Sequence, residues 1–480
     1  MTNTTKRFGC LRFITRCGCL PILLVALLLA GLFVGAFAHQ LYNRYYLYPK
    51  QAALWEEYAQ TRQPVSLKTD WTEYRGVMHA HSHISHDSEV LFPEIVEALH
   101  KVDCQFIFMT DHFVDGQADY SLGWKGVHDG ILFVRGFEMH EGFMPWGLPD
   151  DTVLSRDDDP VELARRIREL GGVLAFGHTE APRPFEIPEL DAMEIYNIHT
   201  DMIFSMVNKH SRVEIVKDVL LNSRAYPEQV FRGMFDVVSL MALTQKWDEL
   251  SKHRAITPIA ANDSHQNVGV RAVYTEQGTL LLLDTGHNDP AKKIREFKLN
   301  FFTRLPLRVL FGKLTPNKQL FRIDMDPYER STRFVNTHLL AKELSEPALL
   351  DAVRSGRAFI AFNGLADAKG FAFIAQGKDK KGKQVTMGEG IPFSPDLVLR
   401  AEAPLSCRFT LVRYGKPVIS QEGLVFEYEP TQPGKYRIEA SLPMPGEVTY
   451  TGGSGSPGMA PWVITNYIEL YEDNAEDDRP

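Results

Sequence analysis

The chain reads as an α/β protein followed by an all-β region. Three observations carry this reading: short apolar, β-prone runs alternate with helical patterns, those runs end in ligand-type residues, and the pattern changes after about Gly370. Strand, helix, strand in repetition implies a parallel sheet. Functional side chains at strand C-termini imply a βα barrel or an open α/β sheet with its site on that rim, and the barrel is the favoured form.

The first element is apolar. Lys6, Arg7, Arg12 and Arg16 precede an uncharged stretch from Cys17 to Ala38, close to the ~20 residues that span a bilayer. Positive charge ahead of it favours a cytoplasmic N-terminus over residues 1–19, a single transmembrane anchor over 20–38 and export of the remainder. The expected location is therefore the cell membrane, with the large domain on its extracytoplasmic side. Ala36-Phe37-Ala38 resembles a signal-peptidase site, so a cleaved signal peptide is the alternative. Residues 39–70 read as a linker.

From Tyr74 the chain runs YRGVMHAHSHISHDS, then a helix-like segment, then FIFMTDHF. Imidazoles at 79, 81, 83, 86 and 112 take a large share of the 16 histidines present. His79 and His81 alternate with Met78 and Ala80, and in an extended strand residues i and i+2 face one side, so both rings can meet one cation. Neutral imidazole suits zinc, iron and manganese alike. His83 points the same way by strict alternation, but a solvated loop is its default reading.

Four later runs have the same form. Cys104 to Met109 ends in Thr110-Asp111-His112, and Ile131 to Val134 leads through Arg135-Gly136-Phe137 to Glu138-Met139-His140. Val173 to Phe176 ends in Gly177-His178, and Ile256 to Ala261 ends in Asn262-Asp263-Ser264-His265. Between them, Pro93 to Val102 places Ile95, Val96, Leu99 and Val102 on one helical face, and Asp159-Pro160 opens a helix that Gly171-Gly172 closes. Glu194 and Asn197, in MEIYN, end a further strand and suit packing or support of a ligand better than ligation. Asp111 is expected to orient a ring or a loop. His199 and the remaining histidines lack this strand-end context. Arg183 and Arg271 lie five and six residues beyond His178 and His265, near enough to pair with a substrate phosphate, with an exposed loop position as the equal alternative.

Farther on, Thr279 to Leu283 is strand-like, Asp289-Pro290 opens a predicted helix through Ile294 and Phe297, and Ser345-Glu346-Pro347 caps another. After Gly370, runs at Phe371–Ile374, Leu397–Ala401, Arg408–Val412, Leu424–Tyr428, Tyr436–Ala440 and Val463–Leu470 suggest a β-sandwich over 370–471, ahead of an acidic tail over 472–480. There is no GxSxG elbow, P-loop or dinucleotide fingerprint. The five cysteines outline neither a disulfide framework nor a Cys-rich zinc site. A net charge of −9 argues against a broad nucleic-acid-binding surface, yet leaves an oligonucleotide end open as a substrate.

The ordered set HAHSHISHD, TDH, GFE, FGH and NDSH resembles the polymerase and histidinol phosphatase (PHP) family of metal-dependent phosphoesterases. The resemblance runs from about Tyr74 to His265 and on to Ala361, and implies a distorted seven-stranded βα barrel over 71–369 with two or three divalent ions, zinc, manganese or iron. Position by position it implies a first metal on His79, His81, Glu138 and Asp263, with Glu138 bridging to a second on His178 and His140. It implies a third on His86, or the adjacent Asp87, with His112 and His265. Glu138, Asp263 and His265 then carry catalysis, and a metal-bound hydroxide attacks a phosphate ester in a small molecule or an oligonucleotide end. Pro433 to Ala440 and Pro461-Trp462 resemble the immunoglobulin-like C-terminal domain of some exported relatives, with docking or barrel support as its expected role. Hydrolysis of a non-phosphate ester, amide or carbamate, or a non-catalytic envelope scaffold, are the alternatives.

Overall fold

The structure is a computed structural model that describes residues 19–139, 142–207, 209–286, 293–379, 383–444 and 458–472. The basic N-terminus through residue 18, His140, Asp289-Pro290, most of the run from Gly452 and the tail beyond 472 lie outside these residues.

Strand β1 (Thr72–Val77) pairs in parallel with β2 (Phe106–Phe108), and β2 with β4 (Ile131–Val134). Just beyond, β3 (Asp111–His112) pairs with β5 (Phe137–Glu138), which sets His112 beside Glu138. A second sheet holds β6 (Phe143–Trp146), β7 (Val173–Phe176), β8 (Leu190–Asn197) and β9 (Thr257–Ala261), all parallel except β6. The two sheets are joined by an antiparallel bridge between Gly136 and Trp146 and a parallel bridge between Ala80 and Ser264. Glycine at 136 is required there, because a Cβ would stand 2.2 Å from the Trp146 ring. The pairings thus run in a circuit that returns to β1, and the C-terminal ends of β1, β3, β5 and β9 converge around Ala80.

Helices cover this circuit for the reasons visible in their sequences. In α2 (Phe92–Lys101) Ile95, Val96 and Leu99 are buried on one face, against Val77, Ile107 and Phe133 of the sheet. Helix α3 (Pro160–Glu169) starts where the Asp159 carboxylate accepts from the backbone N–H groups of Val161 and Glu162, and it ends at Gly171 with φ 81°. Two further helices, α4 (Ile198–Val207) and α5 (Lys209–Asn222), follow β8, and α6 (Val237–Ser251) precedes β9.

A four-stranded antiparallel sheet, Gly269–Tyr274 with Thr279–Leu283, Arg295–Lys298 and Lys318–Asp324, rises directly after His265. Ile294 to Phe297 is therefore not helical as its spacing suggests: Phe297 pairs with Leu280 in a strand, where sheet hydrogen bonds replace a helical turn. This sheet carries α7 (Phe301–Phe311).

On its other edge β1 pairs with β10 (Asn336–Ala341), β10 with β11 (Ala358–Ala361), and β11 with β15 (Met459–Thr465), all antiparallel. Between β11 and β15 in sequence come β12 (Ala372–Gly377), β13 (Leu397–Arg413) and β14 (Gly434–Pro443), which continue the same sheet. The runs at 397–401 and 408–412 fuse into the single strand β13, which is irregular between Glu402 and Cys407. One sheet of 14 strands therefore crosses residue 370 without a break.

The N-terminal helix α1 (Cys19–Ala36) leaves Leu28, Leu29 and Leu32 exposed. Among the described residues no single helix is long and apolar enough to cross a membrane, although Leu23–Ala36 and Ala38–Thr61, bent by 79°, reach that length and composition together. Residues 39–61, read as linker, are mostly helical and docked: Gln40 donates to Glu214 Oε2 at 2.7 Å, Arg44 to the Leu221 carbonyl at 2.7 Å, and Tyr48 to Asp218.

Candidate metal centre

Most of the ligand-type side chains are placed just beyond the end of a strand. Asp263 N donates to the His79 carbonyl and His81 N to the Ser264 carbonyl, at 2.9 and 3.0 Å, so the β1 and β9 extensions run side by side. His79 and His81 are buried with their Nε2 atoms 3.1 Å apart. His79 Nδ1–H donates to Glu194 Oε1 at 2.5 Å and His81 Nδ1 meets Ser85 Oγ at 3.0 Å, which turns both Nε2 lone pairs into the site.

Two carboxylates straddle the histidines. Glu138 Oε1 stands 3.2 Å from His178 Nε2, while Oε2 stands 3.5 Å from both His79 Nε2 and His112 Nδ1. Asp263 Oδ1 lies 3.3 and 3.2 Å from the Nε2 atoms of His79 and His81, while Oδ2 lies 3.4 Å from His178 Nε2. Asp263 and His178 both occupy left-handed backbone, φ 49° and 48°, strain of the kind that persists where surrounding contacts hold it.

A further group joins His81, His112 and His265 to Asp87, whose Oδ2 is 3.5 Å from His112 Nε2 and 3.4 Å from His265 Nε2. Of the two neighbours, Asp87 belongs to this group, while His86 is exposed with its ring centroid 5.0 Å from that of His112. Strand alternation has ended by residue 83, so the turn at 83–87 decides which neighbour faces inward. Asp111 shapes that turn, accepting from Ser82 N at 2.6 Å and Ser85 Oγ at 2.9 Å.

His199 joins the site although its sequence context differs from that of the strand-end ligands. It is the second residue of α4, its Nδ1 is 3.1 Å from Asp263 Oδ2, and with Asp263 and His265 it forms another group able to hold an ion. Its one sequence signal is its position two residues past MEIYN, a strand end like the others. Glu194 holds His79 and also accepts from His178 N at 2.7 Å, so it supports ligands. Arg183 Nε donates to the Gly177 carbonyl at 3.0 Å, beside His178, and buried Arg271 stands 3.8 Å from Glu89. His140 lies outside the described residues.

The donor set fits cations. Atoms roughly 2.0–2.2 Å from one ion stand about 3–3.6 Å from one another, the spacing found here. Asp263 Oδ1, Asp87 Oδ1 and His265 Nε2 are buried without a hydrogen bond, which is costly unless a cation meets them. Burial pushes both carboxylates up, but His79, with His178 at Glu138 and with His199 and His265 at Asp263, holds them well below the usual range. Burial likewise pushes His79 and His178 down, and the facing carboxylates outweigh it and hold both well above the ordinary imidazole value. Burial and His265 keep His81 well below it, and burial takes His265 down to about 4.

Against burial, the carboxylates thus favour protonated imidazoles at His79, His178, His112 and His199, whereas His81 and His265 favour the neutral form. An ion must displace protons from the raised imidazoles, so metal uptake is expected to release protons and to strengthen as pH rises. Calorimetry in buffers of different ionisation enthalpy measures this, and uptake without proton release would contradict it.

No family model matches the chain, and no curated protein matches it. Among solved structures it is similar to a two-domain protein containing a predicted PHP-like metal-dependent phosphoesterase from Bacteroides vulgatus ATCC 8482. Identity is 12% and the TM-score 0.35, over 84% of this chain and 98% of that one. At that score the likeness carries no argument about this chain's fold or activity.

Proposed function

We propose that the chain is a metal-dependent phosphoesterase of the PHP kind, built on a distorted seven-stranded barrel and tethered to a membrane by its N-terminal apolar helix. One observation carries the reading: Glu138 and Asp263 each divide two carboxylate oxygens between separate groups of imidazoles, an arrangement suited to ions that share ligands. His79, His81, Glu138 and Asp263 would hold one ion, and His178 and His199 another with the same carboxylates. Asp87, His112 and His265 would hold a third. Bound there, zinc, manganese or iron supplies acidified water and positive charge against phosphoryl oxygens. The protein keeps the imidazoles oriented through Glu194 and Ser85, and Arg183, beside His178, is a candidate to orient the substrate phosphate. The substrate class is a small phosphoester or an oligonucleotide end. The C-terminal strands support the barrel.

Full-length protein purified without chelator is expected to carry at least two divalent ions per chain and to hydrolyse members of a panel of phosphomonoesters, phosphodiesters and short oligonucleotides. Fewer than one ion, with no uptake on titration, would overturn the metal reading. Turnover confined to carboxylic esters, amides or carbamates would keep the metals and move the activity to that alternative.

A further inference from the structure

The sheet that follows His265 carries a helix with nothing described packed over its apolar side. In α7 no residue is buried, and Phe302 and Val309 are 82% and 77% exposed. Phe302, Leu305, Val309 and Leu310 recur at i, i+3, i+7 and i+8, so they share one face, with Arg304 and Arg308 on the other. The helix is organised locally, since the Asn300 side chain accepts from Thr303 N at 3.0 Å and Asn300 N donates to Thr303 Oγ1 at 2.9 Å. Arg304 donates back to the Gly278 carbonyl at 3.3 Å, which turns the basic side toward the protein's own sheet and the apolar side outward.

Local charge indicates what covers that side. Between Lys293 and Lys318 the sequence has seven basic side chains against one acidic, Glu296, in a chain of net charge −9. Strand Lys318–Asp324 shares a cavity of about 220 Å³ with Val219 and Ser223 at the end of α5, the helix that receives Gln40 and Arg44 just after the apolar segment. Helix α5 itself leaves Val213, Val216 and Leu220 exposed, and Tyr45 beside it is exposed too. A locally basic segment whose helix turns aromatic and aliphatic side chains outward matches the interface of an anionic bilayer, where apolar side chains sink below the headgroups and basic ones lie at headgroup level.

We infer that α7 is a membrane-surface helix that lies in the headgroup region of an anionic bilayer, a contact additional to the N-terminal anchor. The choice of a bilayer rests in part on the anchor proposed above, so the test separates the two. Full-length Phe302→Trp protein is reconstituted into vesicles of phosphatidylcholine alone or mixed with phosphatidylglycerol, with lipids brominated at shallow or deep positions, and wild type supplies the background of six tryptophans. The added tryptophan is expected to be quenched by shallow bromines, more strongly in the anionic vesicles, and the quenching is expected to fall several-fold when Arg304 and Arg308 are both changed to Glu. High-salt washing of the same vesicles reports the anchor. Quenching in protein that salt releases would sustain the surface helix and overturn the anchor. An unquenched tryptophan in protein that resists salt would overturn the inference, leave the anchor standing and assign the apolar face to a protein partner.

Discussion

Glu138→Gln is expected to leave the fold intact and to remove most metal-dependent hydrolysis. The side chain is nearly buried among His79, His81, His112 and His178, and the amide matches the carboxylate in volume. It offers one neutral oxygen where two charged ones faced two imidazole groups. Loss of a residue that only supports a ligand typically costs 10–100-fold in metal affinity or activity, so loss of a shared ligand is expected to exceed about 100-fold. Metal content and turnover, read beside circular dichroism, check this. A well-folded variant with full activity would show that Glu138 is not a shared ligand.

The second large effect lies away from the site. Arg437 on β14 donates through Nε and Nη2 to both oxygens of Asp248 on α6, at 2.8 and 2.7 Å, and both side chains are buried. Tyr467 donates to Asp248 Oδ1, the oxygen that also accepts from Arg437 Nε, at 2.6 Å. Arg437→Met leaves the Asp248 charge buried with the tyrosine as its remaining described donor, a change expected to cost about 3–5 kcal/mol. Arg437→Met with Asp248→Leu is expected to recover most of it, because two apolar groups can fill the space of a buried pair at little net cost. Denaturant unfolding of wild type, both single variants and the double variant measures the coupling. A loss below about 1 kcal/mol for Arg437→Met would mean that this contact is not what ties α6 to the C-terminal strands.

Trp462 acts at the same junction, fully buried on β15 with Nε1 donating to the Ala366 carbonyl at 2.7 Å. The change of pattern near Gly370 was legible as composition. The passage of one sheet across it was not, since β11 meets β15 at Phe359 and Thr465, 106 positions apart, and no local pattern records such a pairing.

The strand ends that carry His79, His81, His112, Glu138, His178, Asp263 and His265 could be read directly, because period-two alternation and apolar runs are local properties of the chain. The helices at 92–101, 160–169 and 346–354 were legible for the same reason, through their caps and apolar faces. Three-dimensional packing settled what local pattern leaves open. It turned Asp87 toward His112 and His265, because the turn at 83–87 is shaped by Asp111 from a neighbouring strand. It brought in His199, because α4 turns back over Asp263, 64 residues away, and it paired Phe297 into a strand through Thr279–Leu283. In each case the deciding contact joins residues far apart in sequence, and its geometry exists only once the intervening chain has folded.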